Sequence, residues 1–135
     1  MQEKPRILIV DDEKTNLQLL IDLLAVDFKV LVAKNGETAL NRLEGDHLPD
    51  LILLDIIMPG IDGFEVCQHI KSNERLKNIP VIFLSAKNSP EDEQKGIALG
   101  AVDFISKPMT PCLVLIRIKS HLELAYYRKK YADGS

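Results

Sequence analysis

No tryptophan occurs in these 135 residues, and aromatic residues of every kind make up only 5%. Phe28, Phe64, Phe83 and Phe104 all sit in apolar contexts, which argues against a platform for stacking nucleic-acid bases. Positive charge is not in excess either. Seventeen Lys and Arg face twenty Asp and Glu, a net charge of −3, so there is no basic field to attract nucleic acid. Cysteine is scarce: Cys67 and Cys112 lie in neither a CxxC nor a Cys–His spacing, and both read as reduced core residues. His47, His69 and His121 share no ligand spacing, which leaves no histidine metal site to expect. The glycines at 60 and 63 lack the G-x-x-x-x-G-K pattern of a phosphate loop. No apolar stretch approaches the roughly 20 residues that cross a bilayer. Met1 to Pro5 lead directly into an apolar run, leaving no room for a signal peptide, so the expected location is the cytoplasm.

What is present is a core. Hydrophobic residues make up 46% and charged residues 27%, in a chain long enough for one domain. Four apolar runs each end on a reactive polar residue. Ile7 to Val10 run into Asp11 and Asp12, Leu51 to Leu54 into Asp55, Val81 to Leu84 into Ser85, and Asp103 to Ser106 into Lys107 and Pro108.

These runs are short and alternate with stretches of helical periodicity, the pattern of βαβ units around a parallel sheet. The expected first helix covers Thr15 to Val26, with Leu17, Leu20, Ile21 and Leu24 as its core stripe. Phe28 to Ala33 reads as a second strand, Glu37 to Leu43 as a second helix and Asp50 to Asp55 as a third strand. Asp62 and Glu65 have capping-box spacing ahead of a third helix. Ser89-Pro90 and Thr110-Pro111 each read as an N-cap followed by proline at the first helical position. Right-handed crossovers cover both faces, and the simplest sheet is the flavodoxin-like order 2-1-3-4-5. Three carboxylates, a hydroxyl and an ammonium then meet at one carboxyl edge. Such a set can hold a hard divalent cation and a phosphoryl group.

Val10-Asp11-Asp12, the run from Asp55 to Gly63, Leu84-Ser85-Ala86 and Ser106-Lys107-Pro108 resemble the receiver domain of two-component response regulators. The resemblance extends over residues 5 to 125. It implies that Asp55 is the phospho-acceptor, charged from a histidine of a sensor kinase or phosphotransfer protein. It implies Mg²⁺ held by Asp12, Asp55 and the backbone carbonyl of Ile57, with Asp11 acting through water. Ser85 and Lys107 would bind phosphoryl oxygens, and Ser85 and Phe104 would form the switch. In this family the residues two after the acceptor and two after the hydroxyl tune acyl-phosphate hydrolysis. Here they are Ile57, which cannot orient a water, and Lys87, which could reach the phosphoryl group. Lys107-Pro108 is a candidate cis peptide.

The main alternative is a degenerate receiver that keeps the fold but serves only as a protein-binding module. A flavin-binding protein of the same fold is disfavoured by the acidic first strand–helix loop, which repels a cofactor phosphate. Residues 1–125 read as the receiver and 126–135 as a helical extension toward an output domain, with no direct nucleic-acid or membrane contact by the receiver itself. The last helix could run from Pro111 to Tyr131, and the stripe Leu115, Ile118, Leu122 and Tyr126 could carry it past the core into a homodimer.

Overall fold

The computed structural model describes residues 3–134. Five strands alternate with five helices: β1 (Arg6–Val10), α1 (Lys14–Leu24), β2 (Lys29–Ala33), α2 (Gly36–Arg42), β3 (Leu51–Leu54), α3 (Gly63–Lys71), β4 (Val81–Ser85), α4 (Pro90–Ala98), β5 (Asp103–Ser106) and α5 (Pro111–Gly134). All strand pairs are parallel, and the sheet order is β2-β1-β3-β4-β5, the flavodoxin-like arrangement.

Successive residues of a strand face opposite sides of the sheet, so a continuous apolar run feeds two cores. Leu8, Val10, Ile52, Leu54, Val81 and Phe83 pack with Ala39 and Leu43 from the α2 side and Phe64, Val66 and Ile70 of α3. Ile7, Ile9, Leu51, Leu53, Ile82 and Leu84 pack with Leu17, Leu20 and Leu24 of α1 and Val114 and Ile118 of α5. Thus α1 and α5 cover one face, and α2, α3 and α4 the other.

Helix and strand ends show what local signals achieved. Ser89 and Asp92 form a complete capping box at α4, with proline following the cap. At α3 only half of the box exists: Asp62 accepts the Glu65 N–H at 2.9 Å. The first helix ends at Leu24, two residues earlier than expected, where the Phe28 N–H turns back onto the Leu24 carbonyl at 2.9 Å. Phe28 itself precedes β2 and is buried against the α1–α5 core. Asp50 flanks β3 and accepts the Arg6 N–H at 2.7 Å. The last helix runs to Gly134 rather than Tyr131. Its expected stripe divides: Ile118 is buried and Leu115 and Leu122 pack on the core, whereas Tyr126 is 61% exposed.

The cysteines also divide, which corrects their assignment as a core pair. Cys67 is buried, and burial pushes its thiol up to about 11. Cys112 is exposed, because α5 turns Val114 and Ile118 inward and leaves its second residue outside. A thiol reagent such as Ellman's should therefore titrate one thiol in the native protein, that of Cys112, and the second only after denaturation. Rapid native labelling of both would contradict the burial of Cys67.

Candidate functional site

Parallel strands put all carboxyl ends on one edge, and β1 and β3 are neighbours at the point where the strand order reverses. The residues just beyond the strands are held by the same ladder. The Asp11 N–H donates to the Ala33 carbonyl at 3.1 Å, Asp55 to Val10 at 2.9 Å and Lys107 to Ser85 at 3.0 Å. Backbone pairing thus holds these positions independently of their side-chain contacts.

At this edge Lys107 Nζ donates to Asp11 Oδ2 at 2.8 Å and to Asp55 Oδ2 at 3.2 Å. The remaining oxygens are also engaged: Asp11 Oδ1 accepts the Glu13 N–H at 2.9 Å, and Asp55 Oδ1 accepts the Ile56 N–H at 2.7 Å. Asp11 and Asp55 are buried, at 2% and 8% exposure, which is tolerable only because they are paired. Burial alone would pull Lys107 down. The hydrogen bond it donates to Asp11 and the fields of Asp11 and Asp55 outweigh it and hold the ammonium above the ordinary lysine value.

Asp12 differs from its neighbour. It is exposed and makes no hydrogen bond or ion pair with the described residues, yet each of Asp11, Asp12 and Asp55 places a carboxylate oxygen within 4.8 Å of the other two. Three carboxylates against one ammonium leave two formal negative charges on hard oxygen donors. That donor set fits a divalent cation of the Mg²⁺ type, which needs few protein ligands and retains waters.

Ser85 is fully buried, and its Oγ accepts the Lys87 N–H at 3.1 Å, leaving the hydroxyl proton to donate. Ile57 lies beside the site and is 60% exposed. Lys87, by contrast, turns away to Asp92, with Nζ 3.1 Å from its carboxylate, so the ammonium belongs to the α4 cap rather than to the acid cluster. The Lys107–Pro108 peptide is cis.

Phe104 is half-buried, its ring centroid 5.8 Å from that of Phe83, which in turn lies 5.5 Å from Phe64. Gly96 of α4 closes over this pair: a Cβ there would sit 2.9 Å from the Phe83 ring and 3.3 Å from that of Phe104. Nothing in the sequence singled out Gly96, since the close approach exists only once α4 docks.

Sequence reasoning also missed Asp103, Arg117 and His121. Asp103 begins β5 and accepts from Arg117 Nη1 at 2.7 and 2.8 Å, with His121 Nε2 at 3.0 Å. Burial raises the Asp103 carboxyl, but the Arg117 and His121 hydrogen bonds prevail and hold it below the ordinary carboxylate value. Its contribution to stability is therefore present above the unfolded carboxylate pKa and lost as pH falls through the depressed one. Arg117 and His121 are four apart on α5, a spacing visible in sequence, but only the docking of α5 beside β5 brings Asp103 to them.

The family model of the response regulator receiver domain matches residues 7–119. The response regulator PleD of Caulobacter vibrioides is 41% identical over 134 residues, covering 96% of this chain and 29% of its own length. The Bacillus subtilis alkaline phosphatase synthesis transcriptional regulatory protein PhoP is 38% identical over 118 residues, covering 87% and 48%. The chain therefore spans less than half the length of these curated relatives. A CheY-like response regulator receiver domain protein from Methanospirillum hungatei superposes with a TM-score of 0.86 at 26% identity, covering 93% of this chain and 99% of that one. No helix among the described residues is long and apolar enough to cross a membrane. With sheet order, strand-end residues and family match in agreement over most of its length, the chain belongs to the response regulator receiver domain family of two-component systems.

Proposed function

We propose that Asp55 accepts a phosphoryl group from a histidine of a sensor kinase or phosphotransfer protein, and that the modification controls an output module joined through α5. The observation that carries this reading is the Lys107 ammonium bridging Asp11 and Asp55, with Asp12 unpaired beside them. In the transfer, an Asp55 carboxylate oxygen bonds to phosphorus while the P–N bond to the donor imidazole breaks, giving an acyl phosphate and a free histidine. Lys107 and the Ser85 hydroxyl bind the phosphoryl oxygens. Lys107 stays protonated throughout, as the acids around it already favour its charged form.

Mg²⁺, held by Asp12, Asp55 and the Ile57 backbone carbonyl with Asp11 acting through water, would offset the charge that builds on the transferring group. Asp12 suits direct ligation because nothing else claims its carboxylate. Asp11 holds Lys107 more closely than Asp55 does, at 2.8 Å against 3.2 Å, which favours its acting through water. Once Asp55 is modified, Ser85 moves toward the new oxygens and Phe104 turns into the space it leaves, biasing the α4–β5–α5 surface between two states. Residues 1–125 are the receiver, 126–135 the link to the output, and the site of action is the cytoplasm. The receiver itself makes no nucleic-acid contact.

Incubation with a small phosphodonor and Mg²⁺, followed by intact-mass measurement, tests the reading. One added phosphoryl group is expected. No gain under any donor would leave the degenerate, protein-binding receiver as the better account.

Metal binding separates the two adjacent acids. Asp11→Ala should weaken Mg²⁺ binding by about tenfold, as loss of an outer-sphere partner does, and Asp12→Ala by more. Affinity should fall on acidification, as protons compete for the crowded carboxylates. Calorimetric titration showing no effect of either change would move the metal elsewhere.

A further inference from the structure

Gly36 opens α2, a helix that contributes none of the residues of the acid cluster. Backbone conformation does not call for glycine here, since among the described residues only Gly60 and Gly100 have positive φ. Helix propensity disfavours it as well, because alanine is the better helix former. What the position lacks is space. A Cβ on Gly36 would lie 2.6 Å from Ile61 Cγ1 and from Val66 Cγ2, and 3.0 Å from Ile61 Cδ1. Carbon atoms in favourable contact sit about 3.5–4.0 Å apart. Both neighbours are β-branched, so each can withdraw only by rotation about a stiff χ1 or by movement of its backbone. Val66 is fully buried within α3. Ile61 belongs to the loop between β3 and α3, and that loop is what would yield.

The same loop carries the Ile57 carbonyl. Ile56 and Met58, on either side, are buried in the core under α2 and α3, whereas the Ile57 side chain is largely exposed. The chain then bends at Gly60, whose φ of +79° suits glycine, and returns through Ile61, which packs on the same core. Ile61 is thus the third apolar anchor of the loop, and its seat is the space left at Gly36. Glu37, the next residue of α2, lies beside the bend: a Cβ on Gly60 would be 3.5 Å from its Oε1. The first turn of α2 therefore meets the loop at two places. Asn35 fixes that turn by accepting the Thr38 N–H at 2.8 Å.

We propose that Gly36 is a positioning residue for Mg²⁺: by leaving room for Ile61, it lets the β3–α3 loop settle where the Ile57 carbonyl can join Asp12 and Asp55 as a ligand. This rests on the reading that the acid cluster takes Mg²⁺. A cation of this type demands near-ideal octahedral placement of its oxygens, so a small displacement of one ligand is felt in the affinity.

Calorimetric titration of the 135-residue chain with Mg²⁺ alone tests this. Gly36→Ala should raise the Kd of the folded protein by about tenfold, as loss of a supporting contact outside the ligand set does. The same change in an Ile61→Ala background should raise it by less than about threefold, because the collision with the loop is then gone and only Val66 of α3 remains. Urea unfolding of the metal-free chains separates the alternatives: a merely structural Gly36 would lower the midpoint and leave the Kd of the folded fraction where it was. Where Gly36→Ala is too unstable to titrate, the double variant must fold and bind Mg²⁺ within about threefold of Ile61→Ala alone. An unchanged Kd in Gly36→Ala overturns the proposal, and so does a loss that persists undiminished beside Ile61→Ala. If the wild type binds Mg²⁺ and Asp12→Ala weakens that binding, either result removes the role of Gly36 and leaves the metal site standing. A wild type that binds no Mg²⁺ removes both.

Discussion

Asp55→Asn is expected to remain folded and to lose all phosphodonor-dependent mass gain. The amide matches the carboxylate in shape and its oxygen can still accept the Ile56 N–H. Lys107 loses one of its two anionic partners but keeps Asp11 at 2.8 Å, so no charge is stranded without compensation, and one acid leaves a crowded cluster. The chemical effect is total, because an amide is not an oxygen nucleophile of carboxylate strength. Asp11 and Asp12 are near enough to be tempting substitutes. Asp11 lies deeper than Asp55, at 2% against 8% exposure, and holds the Lys107 ammonium more closely, at 2.8 Å against 3.2 Å. Asp12 is exposed and free of Lys107, the group that must meet the incoming phosphoryl oxygens. Full labelling of the variant at either position would sink the assignment of Asp55.

The second large effect belongs to a residue with no functional group. Gly63 opens α3 directly behind the β3 end, its N–H donating to the Ile56 carbonyl at 2.8 Å. A Cβ there would lie 2.1 Å from the Asp55 carbonyl oxygen and 2.8 Å from Ile56 Cα. Both are backbone atoms, and neither can rotate aside. Gly63→Ala should therefore destabilise the protein by about 3 kcal/mol, the upper end for overpacking, because the strand end or the helix must shift bodily. The same shift displaces Asp55, so phosphorylation of whatever remains folded should slow as well. Urea unfolding and the rate of mass gain measure the two parts. A wild-type unfolding midpoint for Gly63→Ala would mean that α3 does not press on Asp55 as described.

The sheet and its helices were legible for a simple reason. Each strand is a short aliphatic run, and each helix start carries its own chemistry, such as Ser89-Pro90 or Asp62 three residues ahead of Glu65. The acid cluster was legible because parallel topology alone sends Asp11, Asp12, Asp55, Ser85 and Lys107 to one edge, whatever the packing details. Local signals failed where a boundary depended on a distant contact. The first helix stops at Leu24 because Phe28 turns down into the core beneath α5, and no residue near Ala25 announces it.

By itself, then, the sequence determined the strand order, the edge on which the reactive residues gather, and the residue types available there. The elements follow from periodicity, the shared edge from chain direction, and the order from right-handed crossovers that must cover both faces of the sheet. Tertiary structure alone decided which charges pair: Lys107 with Asp11 and Asp55, Lys87 with Asp92 instead of the acid cluster, and Asp103 with Arg117 and His121. It also decided which faces stay open. Cys112 and Tyr126 lie outside, while Gly96 and Gly63 lie where no side chain fits. The physical reason is range. Periodicity acts over a few residues of one element, whereas ion pairing and close packing depend on ångström-scale distances between elements far apart in the chain, which exist only after the helices have docked on the sheet.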